Sequence, residues 1–340
     1  MKKKGKTLIT GAAGFIGSHL VDLLLKEGEP PNKLRLFVKT GESLDNLPSN
    51  KNFDIIVGDI RDKKLIKKAM KDVEVVYHLA ARIDFDGKDY ADYKDVNVDA
   101  TQHLLDECKN KRIKKFIFFS SIGVYGLPAG IGDIISWDEE HIKVPTNHYG
   151  RSKLEAEQAV IMAHSDWGMP YTIIRPASVY GPREKGPTLA LYRAINKRQF
   201  VMIGKGNNKM HYVYVTDLVK AARLAEKSKQ RTGNYIIAGE EPAKFKNIVK
   251  WISKSINQSV PKIVIPGWLA LMISYPINIM GKITGIKVPL FPSRVKTMTT
   301  SYYYDITKAK EELRYSPKIN FKKGAYLTGR WYLKKGWLGL

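Results

Sequence analysis

Lys6-Thr7-Leu8-Ile9-Thr10 reads as a short strand, and it runs without a break into Gly11-Ala12-Ala13-Gly14-Phe15-Ile16-Gly17 and an amphipathic helix extending to about Glu27. Strand, glycine turn and helix in that order leave few alternatives. Glycines let the backbone turn tightly and approach a pyrophosphate, whose charge then meets the free amides and the positive end of the helix. The spacing Gly-x-x-Gly-x-x-Gly is one residue wider at its first gap than the usual dinucleotide-binding triplet. Gly11, Ala13, Gly14, Phe15, Ile16 and Gly17 are therefore expected to hold a dinucleotide.

Further strands are expected at Leu34 to Val38, Phe53 to Val57, Val75 to Leu79 and Tyr171 to Ile174, with Phe116-Ile117-Phe118-Phe119 as a fully buried one. Helical stretches separate them, the pattern of an α/β, doubly wound parallel sheet of the Rossmann type. Met210 to Asp217 and Asn234 to Ile237 read as returns to that sheet. The expected division is a nucleotide-binding domain of residues 1–176 and 207–240 and a smaller, mainly C-terminal substrate lobe of 177–206 and 241–340. Lys39 follows the second strand, where NAD-preferring folds usually place an acid for the ribose hydroxyls; a cation there suits a 2′-phosphate, so NADP is favoured over NAD. Asp59-Ile60 ends the third strand. Leu79-Ala80-Ala81 ends the fourth, with small residues against which a dinucleotide can lie flat.

At Ser120 a buried strand gives way to Ser-Ser-Ile-Gly-Val-Tyr-Gly, a hydroxyl-bearing loop at the sheet edge where open α/β proteins bind ligands. A polar, acidic loop over 132–147 follows, then His148-Tyr149-Gly150-Arg151-Ser152-Lys153 and a run of good helix formers. Tyr149 and Lys153 thus lie one turn apart on one face. A free phenol has a pKa of about 10, and a cation held beside it lowers that value toward useful acid/base chemistry. His148 is a candidate for orienting substrate, or a surface residue.

Hydrophobic residues make up 44% and charged residues 26% of the 340, an ordinary globular composition without repeats or low-complexity tracts. Cys108 is the only cysteine, which excludes an internal disulfide and any cysteine metal cluster; a reducing, cytoplasmic setting is expected. The lysine-rich start, Met1 to Lys6, precedes too short an apolar stretch for a signal peptide. No HExxH pattern, Gly-x-Ser-x-Gly elbow or Walker loop occurs, and Asp138-Glu139-Glu140-His141 reads as a loop, so no metal is expected. The formal net charge is +24, and from Glu241 to Leu340 there are 18 Lys/Arg and 4 Asp/Glu, a net of +14. Within that region Pro266 to Met280 is the most apolar run, shorter than the roughly 20 residues needed to span a bilayer. A core helix is expected there, with an interfacial segment against anionic lipid as the second reading.

Taken in order, Gly11-x-x-Gly14-x-x-Gly17, Asp59, His78-Leu79-Ala80-Ala81, Asn97, Ser120-Ser121, Tyr149-x-x-x-Lys153, Arg175-Pro176 and Val179-Tyr180-Gly181-Pro182 give the chain an end-to-end likeness. It resembles the extended short-chain dehydrogenase/reductases, the NAD-dependent epimerase/dehydratase and 3β-hydroxysteroid dehydrogenase superfamily. The resemblance implies a hydride passed between a substrate carbon and nicotinamide C4, with Tyr149 moving the hydroxyl proton. It implies that Lys153 holds the nicotinamide ribose and lowers the tyrosine pKa, that Ser121 hydrogen-bonds the reacting oxygen, and that Asn97 supports the cofactor or a proton relay. The expected cofactor set further includes Lys39, Asp59, Ile60, Leu79, Ala80, Ala81, Ser120, Pro176 and Ser178; Arg183 joins Ser121 and Tyr149 on the substrate.

Members acting on nucleotide sugars carry Asn before Val-Tyr-Gly-Pro and Arg before the later Tyr-x-x-Val-x-Asp segment, both contacting the diphosphate. This chain has Ser178 and Met210, and a thioether cannot pair with a diphosphate. Gly239 to Pro242, Pro261 to Trp268 and Trp331-Tyr332 are similar to the sterol and hydroxysteroid branch, although Lys39 fits that branch less well because its best-known members use NAD. The expected activity is therefore NAD(P)-dependent oxidoreduction of a secondary alcohol or ketone on an apolar, steroid-, terpenoid- or lipid-like substrate. The alternatives are a nucleotide-sugar epimerase or dehydratase with tightly bound NAD, and a non-catalytic dinucleotide-binding or peripheral membrane protein. Expected partners are the small-molecule substrate, an anionic membrane as a peripheral option and a second copy in a homodimer as another, without nucleic acid.

Overall fold

The computed structural model describes residues 5–49, 51–83, 89–126, 134–284 and 292–339. The lysines at positions 2–4 and the first residues of the acidic loop lie outside them. β1 (Lys6–Thr10) passes through the glycine turn into α1 (Phe15–Lys26), followed by β2 (Leu34–Val38), β3 (Asp54–Val57), α2 (Lys63–Ala69), β4 (Val73–His78), α3 (Tyr90–Tyr93), α4 (Ala100–Cys108), β5 (Lys115–Phe119), β6 (Ile134–Trp137), α5 (His148–Trp167) and β7 (Tyr171–Pro176). Then come β8 (Ser178–Tyr180), α6 (Pro187–Asn196), β9 (Met202–Ile203), β10 (Lys209–Met210), β11 (Tyr212–Tyr214), α7 (Val215–Lys227), β12 (Asn234–Ile237), β13 (Ala243–Lys244) and α8 (Phe245–Ser255). The chain finishes with β14 (Val264–Ile265), α9 (Gly267–Thr284), α10 (Pro292–Thr299), β15 (Ser301–Tyr304), α11 (Thr307–Leu313) and α12 (Phe321–Lys334).

Seven parallel strands form the main sheet in the order β12-β7-β5-β4-β1-β2-β3. Chain order runs outward from β1 to β3 and then crosses back to β4, so the crevice between the ends of β1 and β4 is the switch point where ligands bind in such folds. β2 and β5 are buried along their whole length, as expected of parallel strands covered on both faces. Successive residues serve opposite layers: Ile9 joins the cluster of Leu20, Leu36, Ile117 and Leu218, while Leu8 joins that of Phe37, Phe116, Leu104 and Val160. β4 stops at His78, one residue before the expected end, because the Leu79 and Ala80 amides turn to donate to Thr10 Oγ1 at 3.1 and 3.0 Å.

Residues 212–214 do not rejoin this sheet as expected. They pair in parallel with β8 in a separate two-stranded sheet, because β12 already takes the place beside β7 and α11 packs over β12. Tyr302 and Tyr304 of β15 and Ala309 and Leu313 of α11 share the cluster of Ile9 and Leu36, whereas α6, α8 and α12 enclose their own cluster around Tyr192, Ile252 and Tyr332. The expected core helix over 266–280 forms, but on the surface. α9 buries only Ala270 and Ser274 among its described side chains, and Trp268, Met272, Tyr275, Ile279 and Met280 are exposed. Its neighbours α10 and β9 meet the helix on the side of its small residues.

α5 is fixed to β7 by a buried ion pair. Arg175 Nε and Nη2 donate to Glu157 at 2.9 and 2.8 Å, and Nη1 donates to Tyr125 Oη at 2.8 Å. Both charged side chains are 2% exposed. Glu157→Gln therefore strands a buried guanidinium and is expected to cost about 3–5 kcal/mol. Joint replacement by Glu157→Met and Arg175→Met recovers most of that loss; urea midpoints of the three proteins check both statements, and a single-variant cost below about 1 kcal/mol rejects the pair as an anchor.

Candidate active site

The glycine turn is built as its sequence demands. Gly11 has φ +67°, and a Cβ on it would stand 3.1 Å from the Ala80 amide. A Cβ on Gly17 would collide with the Gly11 carbonyl oxygen. The turn is held by Gly14 N donating to Gly11 O at 3.1 Å, and no side chain caps the N-terminus of α1. Ala12 and Ala13 are buried beneath it. Ser120, at the end of β5, has a buried hydroxyl with no hydrogen-bond partner among the described residues. A cradle in which a Cβ on Gly11 or Gly17 would crowd the backbone, an uncapped helix end and an unpartnered hydroxyl at the sheet edge fit a dinucleotide, whose pyrophosphate the α1 N-terminus would hold.

From that cradle a chain of hydrogen bonds leads to the catalytic helix. Thr10 Oγ1 meets His78 Nδ1 at 2.7 Å, His78 Nε2 meets Thr101 Oγ1 at 2.8 Å, and Thr101 Oγ1 donates to Asn97 O at 2.7 Å. Asn97 Nδ2 donates to Ser152 Oγ at 2.9 Å and to Arg82 O at 3.1 Å, its Oδ1 accepts from Arg82 N at 2.7 Å, and Ser152 Oγ donates to Tyr149 O at 2.8 Å. Asn97 sits on a π-helical turn, Lys94–Asp99, a local distortion common at functional sites. Its amide is committed to the protein and locks the segment after β4 against α5. Burial, and next the Lys153 charge, push His78 down to about 3, so it is neutral in this chain of bonds.

Ser121 and Tyr149 come together, and Lys153 lies one turn on from Tyr149 along α5. The Ser121 side chain hydrogen-bonds the Tyr149 hydroxyl and accepts from Gly123 N at 3.0 Å, which leaves its own proton to donate. The electrostatics differ from expectation. Tyr149 is half-buried by surface, but enough protein surrounds its hydroxyl to push the pKa up to about 12 against the Ser121 hydrogen bond. The Lys153 ammonium lies 4.1 Å over the Phe118 ring. Burial pulls Lys153 itself down to about 7, opposed by Glu157. One helical turn aligns the two stems, but desolvation decides the protonation of each.

The remaining expected residues have varied places. Asp59 is held by Arg61, with Nη2 to Oδ2 at 2.6 Å, and its carboxyl lies below the usual range. Lys39 is exposed at the end of β2, Ile60 is buried, and Pro176 and Ser178 flank the passage from β7 to β8. Arg183 pairs with Asp22 of α1 at 2.8 Å, beside His19. His148 is exposed, its ring 5.8 Å from that of Tyr90. The Asp138 segment is a loop with no metal-holding cluster among the described residues. Residues missed from the sequence are Ser152 and Glu157. Glu157 was detectable, as a carboxylate on the Lys153 face of α5.

Because Lys153 is depressed to about 7, its burial penalty is full below pH 7 and is relieved as pH rises from there toward the unfolded value of about 10.4. Lys153→Met is therefore expected to raise Tm near neutrality, with the gain shrinking toward about pH 10. A gain that does not change with pH, in thermal melts across that interval, rejects desolvation of this ammonium as its cause.

Known proteins share this fold. The chain is 29% identical to a 3β-hydroxysteroid-dehydrogenase/decarboxylase, isoform 2, of Arabidopsis thaliana over 94% of its own length, and spans 61% of that protein. It is likewise 29% identical to the N-acetyl-α-D-glucosaminyl-diphospho-ditrans,octacis-undecaprenol 4-epimerase of Escherichia coli, over 88% of this chain and 87% of that one. Among solved structures, UDP-glucuronic acid 4-epimerase of Bacillus cereus in complex with NAD superposes with TM-score 0.76 at 27% identity, covering 98% of this chain and 99% of that one. The family model for the NAD dependent epimerase/dehydratase family matches residues 7–238. With its glycine cradle, parallel sheet and Ser121-Tyr149-Lys153 cluster, the chain is an NAD(P)-dependent enzyme and belongs to the NAD-dependent epimerase/dehydratase family.

Proposed function

We propose that this enzyme oxidises or reduces a secondary alcohol or ketone on an apolar, steroid-, terpenoid- or lipid-like substrate. Met210 carries the substrate half of that reading. Its side chain is half-buried against two apolar clusters, at the position where sugar-nucleotide members need a cation for the diphosphate. Bound nicotinamide supplies the hydride acceptor or donor at C4. For oxidation, Tyr149 Oη first loses its own proton to solvent and then, as the phenolate, takes the hydroxyl proton while Ser121 Oγ donates to the same oxygen. For reduction, Tyr149 returns the proton, and its elevated pKa keeps the phenol protonated at neutral pH. Asn97 and Ser152 position the Tyr149 turn, and Lys153, one turn on, would hold the nicotinamide ribose.

Tyr149→Phe is expected to lower hydride transfer, followed as NAD(P)H absorbance with a steroid, terpenoid or β-keto lipid panel, by about 10²–10⁴-fold while cofactor still binds. Absence of tyrosine-dependent turnover across the panel overturns the reading. A second reading, a nucleotide-sugar epimerase that retains and recycles NAD, draws on the full-length likeness to UDP-glucuronic acid 4-epimerase. NAD retained through purification, with thermal stabilisation by a UDP-sugar, selects it.

For the cofactor, Lys39 favours the 2′-phosphate of NADP. Glu42 opposes it, with Oε1 lying 3.7 Å from where a Cβ on Gly14 would stand. Lys39→Ala is expected to weaken NADP more than NAD in a thermal-shift comparison, and Glu42→Gln to do the reverse. A 2′-phosphate penalty in the unmodified enzyme rejects the preference for NADP.

A further inference from the structure

We propose that α9 is a docking helix that lays the substrate lobe on an anionic membrane surface. Trp268, Met272, Tyr275 and Ile279 recur at helical spacing on one side of α9 and are 68%, 58%, 53% and 57% exposed. Ile273 and Met280 widen the same face. The opposite side holds Ala270, packed with Ile203 and Val295, and Ser274. An ordinary surface helix has this arrangement reversed, and a contiguous exposed apolar face marks an interaction site.

Charge selects the occupant. From Pro242 to Tyr304 the sequence has nine Lys/Arg and no Asp or Glu. Lys262, two residues before β14, and Lys296, on α10 packed against α9, are exposed. Anionic headgroups complement that field. A second copy docking by the same face would set two such cationic stretches against each other. Trp268 and Tyr275 are the side chains that favour the boundary between lipid and water. No helix among the described residues is long and apolar enough to cross a membrane. Pro276 within α9 leaves the Met272 carbonyl without its helical donor, and that carbonyl is hydrated at an interface. An interfacial helix, apolar face down in a stretch of chain that carries lysines and no acid, accounts for all of these features.

Flotation with phosphatidylcholine vesicles, with and without phosphatidylglycerol, tests the proposal independently of the substrate assigned to Tyr149, because it reads binding and not turnover. The enzyme is expected to float with the anionic vesicles at least about tenfold more than with neutral ones, and to be released at about 1 M salt, where the Debye length is about 3 Å. Met272→Ser with Ile279→Ser, and separately Lys262→Glu with Lys296→Glu, are expected to reduce flotation at least about fivefold, with circular dichroism and the cofactor thermal shift unchanged. Brominated anionic lipid is expected to quench tryptophan fluorescence in the unmodified enzyme and less in Trp268→Phe, a readout that holds even where a double variant folds poorly. The proposal is overturned by flotation indifferent to lipid charge, by no flotation at all, by variants that float unchanged, or by sedimentation showing that the serine variant only dissociates a dimer.

Discussion

The site depends on polar groups being satisfied by one another inside a sheet that is covered on both faces. β1, β4 and β5 end beneath helices, so Thr10, His78, Thr101 and Asn97 have little access to water. A buried polar group left unpaired costs about 1–3 kcal/mol. Each of these residues is bonded to the next, Thr101 through the Asn97 carbonyl, and the series ends on the first turn of α5, at the Tyr149 carbonyl. The same bonds that keep the sheet edge from being destabilised fix the first turn of α5, and with it the backbone of Tyr149.

Desolvation then shapes the chemistry. It raises the phenol and lowers the ammonium, so the pair is held nearer its neutral forms than a solvated tyrosine and lysine would be. The buried Arg175–Glu157 pair belongs to the same economy of charge. Glu157 balances Arg175 directly and, one turn beyond Lys153, raises the lysine against its burial. Anchoring of α5 and tuning of Lys153 thus share one carboxylate.

The substrate lobe follows a different rule. Its aromatic cluster around Tyr180, Tyr192 and Phe321 is closed by α6, α8 and α12, yet α9 keeps its largest apolar side chains outside. This part of the chain is therefore packed around its own aromatic cluster and apolar on the outer side of α9.

Local sequence determined much of this protein. A strand running into Gly11, Gly14 and Gly17 specifies a cradle, because only residues without a Cβ fit against Ala80 and the Gly11 carbonyl, and hydrophobic runs broken by helical stretches specify a parallel sheet. Tyr149 and Lys153 were legible because helix geometry fixes the spacing of i and i+4. Tertiary structure decided what depends on surroundings: that Lys153 lies over Phe118 and is desolvated, that residues 212–214 pair with β8, and that the apolar run of α9 faces outward. Burial, partner choice and pKa come from contacts between segments far apart in the chain, which no local pattern of spacing encodes.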